Sequence, residues 1–212
     1  MDNNVKRSFL VADDHKIITQ SLTFILKDLY PNAEVKQINK IGEIIKQSNE
    51  VTYELLILDI SFPDGNTLQL IPTLKNLLPD CKILIFSGYD EEIYAIRYIN
   101  AGANGYISKM SSEDEIKEAI ISVVNTGKFI SNKVQEKITD SYMGKKAINP
   151  LEELSNRELE IAQLMVDGFG NTQISTTLKL QKSTVSTYKN RIFEKLHIDN
   201  ISDLISVFNL NK

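Results

Sequence analysis

Short apolar runs alternate with amphipathic stretches along the first 126 residues of the chain. Runs of this length, rich in Ile, Leu and Val, are typical of strands in a parallel sheet that is buried on both faces. Between the runs, apolar residues recur at spacings of three and four, which predicts helices. The predicted strands are Ser8–Ala12, Glu34–Ile38, the run from Glu54 that reaches Asp59, Lys82–Phe86 and Gly105–Ser108.

The helical stretches fall between these strands and after the last one. Pro31 ends the first helix, and Ser112 is placed to cap the fifth. Five strands alternating with five helices predict an α/β fold, a flavodoxin-like doubly wound sheet of five parallel strands. In its strand order 2-1-3-4-5, the first and third strands are neighbours. The predicted helices are 15–30, Ile41–Gln47, Thr67–Leu78, Glu91–Asn100 and Glu113–Asn125.

Carboxylates follow two strands that this fold would place side by side. Asp13 and Asp14 come directly after the first strand, and Asp59 ends the third. Parallel strands deliver their carboxyl ends to one edge of the sheet, so the three carboxylates should converge there. Such a cluster repels itself unless a hard divalent cation sits in it. The pattern therefore favours a magnesium site, although Asp59 alone could be an ordinary turn residue.

The last 62 residues show no strand pattern and predict a small all-α domain of four helices. Ser155 and Glu158 form a capping box that starts a helix through Val166, and Gly168 ends it. A short helix begins at Asn171 or Thr172 and runs to Leu178. The third helix carries an apolar seam, and the fourth covers Ile201–Phe208. The seam consists of Val185, Tyr188, Ile192 and Leu196.

The face opposite this seam is polar and basic. It presents Ser186, Thr187, Lys189, Asn190 and Arg191. Two short helices joined by a turn, the second with such a face, match the helix-turn-helix layout, whose recognition helix enters the DNA major groove. The charges alone could also belong to an ordinary solvated helix face. Residues 151–212 as a whole are nearly neutral, with 7 Lys and Arg against 8 Asp and Glu.

A connecting stretch separates the two patterns. Gly127 ends the fifth helix, and Val134, Ile138 and Tyr142 could line a short helix. Residues 144–150 have the composition of a linker. We therefore expect a first domain at residues 1–126, a linker with a possible short helix at 127–150 and a second domain at 151–212.

Composition excludes several classes of protein. A single cysteine, Cys81, rules out an internal disulfide, and one cysteine with two histidines excludes a Cys/His metal site. No apolar run approaches the roughly 18 residues that span a bilayer, and the amino terminus lacks a signal pattern. These features predict a cytoplasmic protein that has no membrane partner.

Five residues at the predicted strand ends resemble those of a known family. Asp13 and Asp14, Asp59, Ser87 and Lys109 look like the receiver domain of bacterial two-component response regulators. The resemblance implies that a histidine kinase phosphorylates Asp59 and that the chain is not otherwise an enzyme. It further implies that Asp14, Asp59 and the Ser61 carbonyl bind magnesium, with Asp13 acting through water. Ser87 and Lys109 would contact phosphoryl oxygens, and Ser87 and Tyr106 would form the switch.

The carboxyl-terminal residues carry a second resemblance. Leu154–Glu158, Gly168, Ser183–Lys189 and Lys195-Leu196 resemble the LuxR-type DNA-binding domain, so the whole chain is similar to the NarL/FixJ group of response regulators. Tyr188 and Ser175 replace the histidine and alanine common in that group, at positions that look like packing positions. The resemblance implies double-stranded DNA as a partner and a homodimer on phosphorylation or on DNA. The expected DNA-contacting residues are Lys182, Ser183, Thr184, Ser186, Thr187, Lys189, Asn190 and Arg191.

Two other functions compete with a phosphorylation-controlled transcription factor. A phosphatase with an aspartyl nucleophile places a second aspartate two residues after the first, but that position is Ser61. A phosphorylation-independent DNA-binding or scaffold protein would show a degraded acidic pocket, and this pocket is complete in sequence. Uptake of phosphate at Asp59 separates the alternatives.

Overall fold

A computed structural model describes residues 7–62, 65–142 and 149–210 of the chain. The chain divides into two compact units, residues 1–137 and 138–212, and each is described by itself. The first unit has the α/β architecture that the sequence predicts, and the second is helical.

The first unit is built on a parallel five-stranded sheet. Its strands are β1 (Ser8–Ala12), β2 (Glu34–Ile38), β3 (Leu55–Leu58), β6 (Lys82–Ser87) and β7 (Gly105–Ser108), in the spatial order β2-β1-β3-β6-β7. This is the predicted flavodoxin-like order. In the register of the sheet, Ala12 is level with Leu58, so the residues that follow them emerge side by side at the carboxyl edge.

Five helices connect and follow these strands. They are α1 (Lys16–Leu29), α2 (Ile41–Glu50), α3 (Leu70–Leu77), α4 (Glu91–Asn100) and α5 (Glu113–Thr126). Ser112 caps α5 as predicted, because its hydroxyl accepts the Glu115 N–H while the Glu115 carboxylate accepts the Ser112 N–H. Gly127 ends α5 in the left-handed conformation, with φ of 79°, which glycine adopts at little cost.

The loop after β3 differs from the sequence prediction. The predicted helix at Thr67–Leu78 begins only at Leu70. Before it, β4 (Ser61–Phe62) and β5 (Gly65–Asn66) pair as a short antiparallel hairpin. The Thr67 carbonyl accepts the Leu70 N–H, so Thr67 forms the turn that leads into α3. Apolar periodicity could not reveal this, since Leu68 and Leu70 fit a helix and a hairpin end equally well.

The core of the first unit lies between the sheet and its flanking helices. On one face, Phe9 and Ile57 contact the inward side chains of α1 and α5. Burying one large aliphatic or aromatic side chain stabilises the fold by about 1.5–3 kcal/mol. The residues that the two helices bury in this layer include Leu22, Leu26, Ala119, Ile120 and Val123. Cys81 is buried as a small apolar residue before β6.

The chain after α5 attaches to the exposed edge of the sheet. Phe129 donates its N–H to the Asn104 carbonyl and pairs with Gly105 at the start of β7. The Asn104 amide donates to the Gly127 carbonyl at 2.7 Å. Helix α6 (Asn132–Tyr142) follows and buries Val134. The side chains of Ile138 and Tyr142, and residues 144–148 of the predicted linker, lie outside the described parts of the chain.

The second unit contains a short 3₁₀ helix (Pro150–Glu153) and four α-helices. These are α7 (Asn156–Val166), α8 (Asn171–Thr177), α9 (Lys182–Leu196) and α10 (Ile201–Leu210). Both hydrogen bonds of the predicted capping box are present between Ser155 and Glu158. The fully buried residues of its small core include Leu159, Ile161, Ile174, Val185, Ile192, Leu204 and Phe208.

Among the described residues, no helix is long and apolar enough to cross a bilayer.

Candidate functional site

The predicted carboxylates converge at the carboxyl edge of the sheet. Ligand atoms of Asp13, Asp14, His15 and Asp59 all lie within 4.8 Å of one another. The sheet register causes this, because β1 and β3 are neighbours and end level. Asp13 and Asp59 are almost fully buried, whereas Asp14 is partly exposed. His15 was not predicted as part of the site, yet its Nδ1 lies 2.8 Å from Oδ1 of Asp14.

Among the described residues, Lys109 is the only lysine that forms ion pairs with these carboxylates. Its Nζ lies 2.9 Å from Oδ2 of Asp59 and 2.6 Å from Oδ2 of Asp13. Lys109 follows β7 at the far side of the sheet from β1, so its long side chain is needed to reach both carboxylates. The lysine therefore partly neutralises the cluster.

The donor atoms at this site suit a magnesium ion. Three carboxylates share one lysine here, so the negative charge of the cluster is only partly balanced. Several carboxylate oxygens within reach of one point are the ligands that hard divalent cations prefer. The loop after Asp59 brings Ser61 to the same edge. The residues present therefore fit a magnesium ion.

Burial and charge shift the protonation equilibria of the site. Burial raises the pKa of Asp59 to about 6, and the neighbouring Asp13 charge adds to this, while Lys109 opposes it. Burial lowers the pKa of Lys109, but the charges of Asp59 and Asp13 outweigh it and raise the pKa overall. Lys109 is thus firmly cationic, and Asp59 carries an incompletely compensated charge at neutral pH.

Ser87 on β6 and Tyr106 on β7 lie on neighbouring strands of the sheet. Both side chains are buried. The Ser87 hydroxyl accepts the Tyr89 N–H at 3.2 Å. The Tyr106 phenol donates to the Tyr89 carbonyl at 2.9 Å. Burial raises the pKa of Tyr106 well above its usual value, so the phenol stays protonated.

Two buried residues beside the site were not singled out from the sequence. Thr67 donates from Oγ1 to the Ile60 carbonyl at 3.2 Å, and its Oγ1 lies 3.4 Å from the Tyr98 hydroxyl on α4. The Tyr98 ring meets the Tyr106 ring edge-to-face, with centroids 6.4 Å apart. No sequence motif marks either residue, because the pairing depends on the hairpin after β3.

Helix α9 carries the predicted DNA-contacting residues. Most are exposed, but Thr184 and Lys189 are half-buried, and Lys189 Nζ lies 5.2 Å from the Phe193 ring centroid. The hydroxyls of Ser186 and Thr187 donate to carbonyls one turn earlier in the helix. Asn171 on α8 donates to Ser186 Oγ at 3.3 Å. The exposed members are Lys182, Ser183, Ser186, Thr187, Asn190 and Arg191.

The two unusual residues of this unit occupy packing positions. Ser175 is buried and bonds back to the Thr172 carbonyl at 2.7 Å, while Tyr188 is half-buried. Val185, Ile192 and Leu196 form the buried seam of α9.

Both parts of the chain match known protein families. Residues 9–121 match the response regulator receiver domain, and residues 152–208 match the luxR family of bacterial regulatory proteins. This chain belongs to the response regulators. The receiver match covers more than half of the chain, and the order of the two domains is that of the NarL/FixJ group.

Full-length relatives support the same membership. The response regulator GacA of Pseudomonas aeruginosa is 30% identical over 89% of this chain and 89% of its own length. The oxygen regulatory protein NreC of Staphylococcus carnosus is 30% identical over 92% of this chain and 94% of its own. With a receiver and a LuxR-type domain, this response regulator is a DNA-binding transcriptional regulator of a two-component system.

Solved structures show the same fold. RcsB from Salmonella enterica serovar Typhimurium, bound to promoter rprA in the presence of the phosphomimetic BeF3−, aligns with a TM-score of 0.65 and 20% identity. The alignment covers 97% of this chain and 99% of RcsB. At this level of identity the likeness establishes the architecture of the response regulator.

Proposed function

We propose that a sensor histidine kinase phosphorylates Asp59 and that the phosphorylated protein binds double-stranded DNA as a homodimer through α9. The observation that carries this proposal is the contact of Lys109 with both Asp59 and Asp13, beside the carboxylate of Asp14. A carboxylate is a poor nucleophile, so transfer to it depends on positioning and on neutralising charge. The sheet register positions Asp59, and Lys109 neutralises charge beside it. The regulator acts in the cytoplasm, where its kinase partner phosphorylates it.

Magnesium is the cofactor of this reaction. Asp14, Asp59 and the Ser61 carbonyl would hold the ion directly, and Asp13 would hold it through water. Bound there, Mg²⁺ supplies positive charge to the phosphoryl oxygens. The gathering of three carboxylates around Lys109 supports this assignment.

The chemical step belongs to Asp59 and Lys109. An oxygen of Asp59 forms a bond to phosphorus, while the bond between phosphorus and the donor nitrogen breaks and its electron pair leaves with the donor imidazole. The Lys109 ammonium, already 2.9 Å from Asp59, neutralises a phosphoryl oxygen. Water later cleaves the acyl phosphate slowly, so the protein resets itself without acting on another substrate.

Ser87 and Tyr106 form the switch. Both side chains are held by Tyr89, whose N–H donates to Ser87 Oγ and whose carbonyl accepts from the Tyr106 phenol. A phosphoryl oxygen on Asp59 offers Ser87 a stronger, charge-assisted acceptor. If Ser87 turns toward it, the Tyr89 backbone shifts and Tyr106 is free to change its position. The surface formed by α4, β7 and α5 then changes and favours the dimer.

On DNA, the exposed face of α9 meets the major groove. Ser186, Thr187 and Asn190 contact base edges, whereas Lys182, Lys189 and Arg191 hold phosphates. Ser183 and Thr184, at the start of α9, contact the backbone. A dimer would match a two-fold DNA site. The structure of two RcsB dimers bound to two parallel DNAs, which shares this fold, is in keeping with that arrangement.

Phosphate uptake by Asp59→Asn tests the proposal. The parent protein, incubated with acetyl phosphate and magnesium, should gain a hydroxylamine-labile phosphate that mass spectrometry detects. Asp59→Asn keeps the side-chain shape but removes the attacking charge, so uptake should vanish. Asp80→Asn, which changes an exposed carboxylate, is the matched control and should behave as the parent does. Equal uptake by Asp59→Asn would assign the phosphate to another residue.

Sedimentation tests the switch. Beryllofluoride with magnesium should shift the parent toward dimer, and Ser87→Ala should still bind beryllofluoride while shifting less. The exposed serine variant Ser21→Ala serves as control. A Ser87→Ala protein that dimerises as fully as the parent would remove Ser87 from the switch.

A further inference from the structure

Thr67 is a polar residue that the phosphoacceptor chemistry does not use, yet it is completely buried. It lies between the β4–β5 hairpin and α3, eight residues after Asp59 in the chain. Its hydroxyl touches two groups: it donates to the Ile60 carbonyl at 3.2 Å and lies 3.4 Å from the Tyr98 hydroxyl. A buried hydroxyl with two polar neighbours from different elements holds those elements in a fixed relation.

Ile60 connects this hydroxyl to the phosphoacceptor. The Ile60 N–H donates to Oδ1 of Asp59 at 2.7 Å, and the Ile60 carbonyl accepts from Thr67. Both backbone groups of one residue are therefore fixed, one by the carboxylate and one by Thr67. The next residue is Ser61, whose carbonyl is the expected backbone ligand of the metal. The orientation of both metal-binding groups thus depends on where Thr67 holds Ile60.

Tyr98 connects the same hydroxyl to the switch. A threonine hydroxyl has one proton, and Thr67 gives its proton to the Ile60 carbonyl. Its oxygen still has lone pairs for the Tyr98 hydroxyl, which lies 3.4 Å away. Tyr98 is itself buried on α4, and its ring packs edge-to-face against Tyr106. Consecutive hydrogen bonds strengthen one another in a buried site.

We infer that Thr67 is a positioning residue for Asp59 and the metal-binding loop, and that Tyr98 couples this loop to Tyr106 through α4. The path runs from Tyr98 to Thr67 to Ile60 and then to Asp59. It is separate from the Ser87 contact, because it reaches Asp59 from the hairpin side and not from β6. The inference rests on the proposed phosphoacceptor role of Asp59.

Beryllofluoride affinity in the presence of magnesium, measured by calorimetry on the full chain, tests the inference. Thr67→Val keeps the shape of the side chain but leaves the buried Ile60 carbonyl without its donor, so affinity should fall about tenfold. Thr67→Ser restores the hydroxyl and should bring affinity back to within about twofold of the parent. Rescue by serine separates positioning by the hydroxyl from packing by the methyl group.

Tyr98→Phe and the double variant test the coupling. Tyr98→Phe removes the hydroxyl that contacts Thr67 and should lower affinity about threefold. Once Thr67→Val is present, the same change should have no further effect, because both residues act along one path. The double variant should therefore lose about tenfold and not about thirtyfold.

Matched controls change equivalent groups elsewhere in the receiver. Thr19→Val removes a buried hydroxyl on α1 that donates to the Lys16 carbonyl, and Tyr53→Phe removes a hydroxyl that contacts Gln47. Both should bind beryllofluoride as the parent does. Thermal unfolding establishes that each variant is folded at the temperature of the titration.

The outcomes distinguish failure of the positioning role of Thr67 from failure of the phosphoacceptor role of Asp59. If the parent binds beryllofluoride with magnesium but Thr67→Val binds equally well, the positioning role is overturned and the phosphoacceptor role stands. A Thr67→Ser variant as weak as Thr67→Val would also overturn it. Additive losses in the double variant would remove Tyr98 from the path. If the parent itself binds no beryllofluoride, the proposed function fails together with this inference.

Discussion

Lys195 and Glu158 join the last turn of the recognition helix to the first turn of α7. The lysine Nζ lies 2.7 Å from Oε2 of Glu158, whose side chain is 5% exposed, and 3.3 Å from the Glu153 carbonyl. Burial raises the pKa of Glu158, but hydrogen bonds from Lys195 and Ser155 outweigh it and lower the pKa overall. Lys195 therefore stabilises the second unit by binding Glu158 and the Glu153 carbonyl.

Removing this lysine charge should destabilise the second unit. Lys195→Met keeps the aliphatic stem but leaves the Glu158 carboxylate without its cation, at a cost of about 1–3 kcal/mol in the free energy of unfolding at pH 7. A carboxylate with a lowered pKa contributes stability above its unfolded pKa and loses it as pH falls through the folded one. The difference between parent and variant should shrink by pH 3.5. Urea unfolding at both pH values measures it, and a pH-independent difference would contradict the role of the pair.

Asp59→Asn should stabilise the metal-free protein. The pKa of Asp59 rises from 3.8 to about 6 on folding, so the folded state binds this proton more tightly than the unfolded chain. The favourable contribution is complete below about pH 4 and is lost as pH rises through about 6. At pH 7.5 in EDTA, the variant should be more stable by roughly 1–3 kcal/mol, and Lys109 keeps Asp13 as a partner. Thermal unfolding should show this gap close at pH 4; a less stable variant at pH 7.5 would disprove it.

Base readout and phosphate contact should separate on α9. Asn190→Ala should cost about 1–3 kcal/mol on the specific site and little on random DNA. Lys182→Ala should weaken both and reduce the slope of log affinity against log salt by about one. Lys195→Met is the control, because its charge is paired with Glu158, and its slope should equal that of the parent. Fluorescence anisotropy with specific and random duplexes measures all three; equal losses for Asn190→Ala on both would refute base readout there.

Two glycine substitutions should act in opposite directions. A Cβ on Gly105 would lie 2.8 Å from the Phe129 carbonyl oxygen, so Gly105→Ala should loosen residues 127–130 from the edge of β7. Hydrogen exchange at the Phe129 amide should accelerate. Gly42, in α2, has nothing within 4 Å of its Cβ position, and Gly42→Ala should stabilise the receiver by about 0.5–1 kcal/mol. Unchanged exchange at Phe129 in Gly105→Ala would show that the edge contact is not tight.

Local pattern was sufficient for most elements because it reflects burial directly. The apolar runs around Leu10 and Ile57 have one stable environment, the interior of a parallel sheet, and the strand order follows from the alternation with helices. Ser112 and Ser155 were recognisable as caps because a capping box is closed within four residues. The start of α3 was predicted too early, since the hairpin before it is stabilised by pairing and not by periodicity.

The sequence by itself determined that Asp13, Asp14 and Asp59 follow neighbouring strands, and its resemblance to receiver domains added Ser87 and Lys109 to the candidate site. Strand-end position is a local property, and the fold brings such ends to one edge. Only the tertiary structure revealed the contacts of Thr67, Tyr98 and Lys195. Tyr98 meets Thr67 across 31 residues and Lys195 meets Glu158 across 37. Such pairs leave no periodic signal, because side-chain contacts between separate elements depend on how the helices pack and not on the residues near them in the chain.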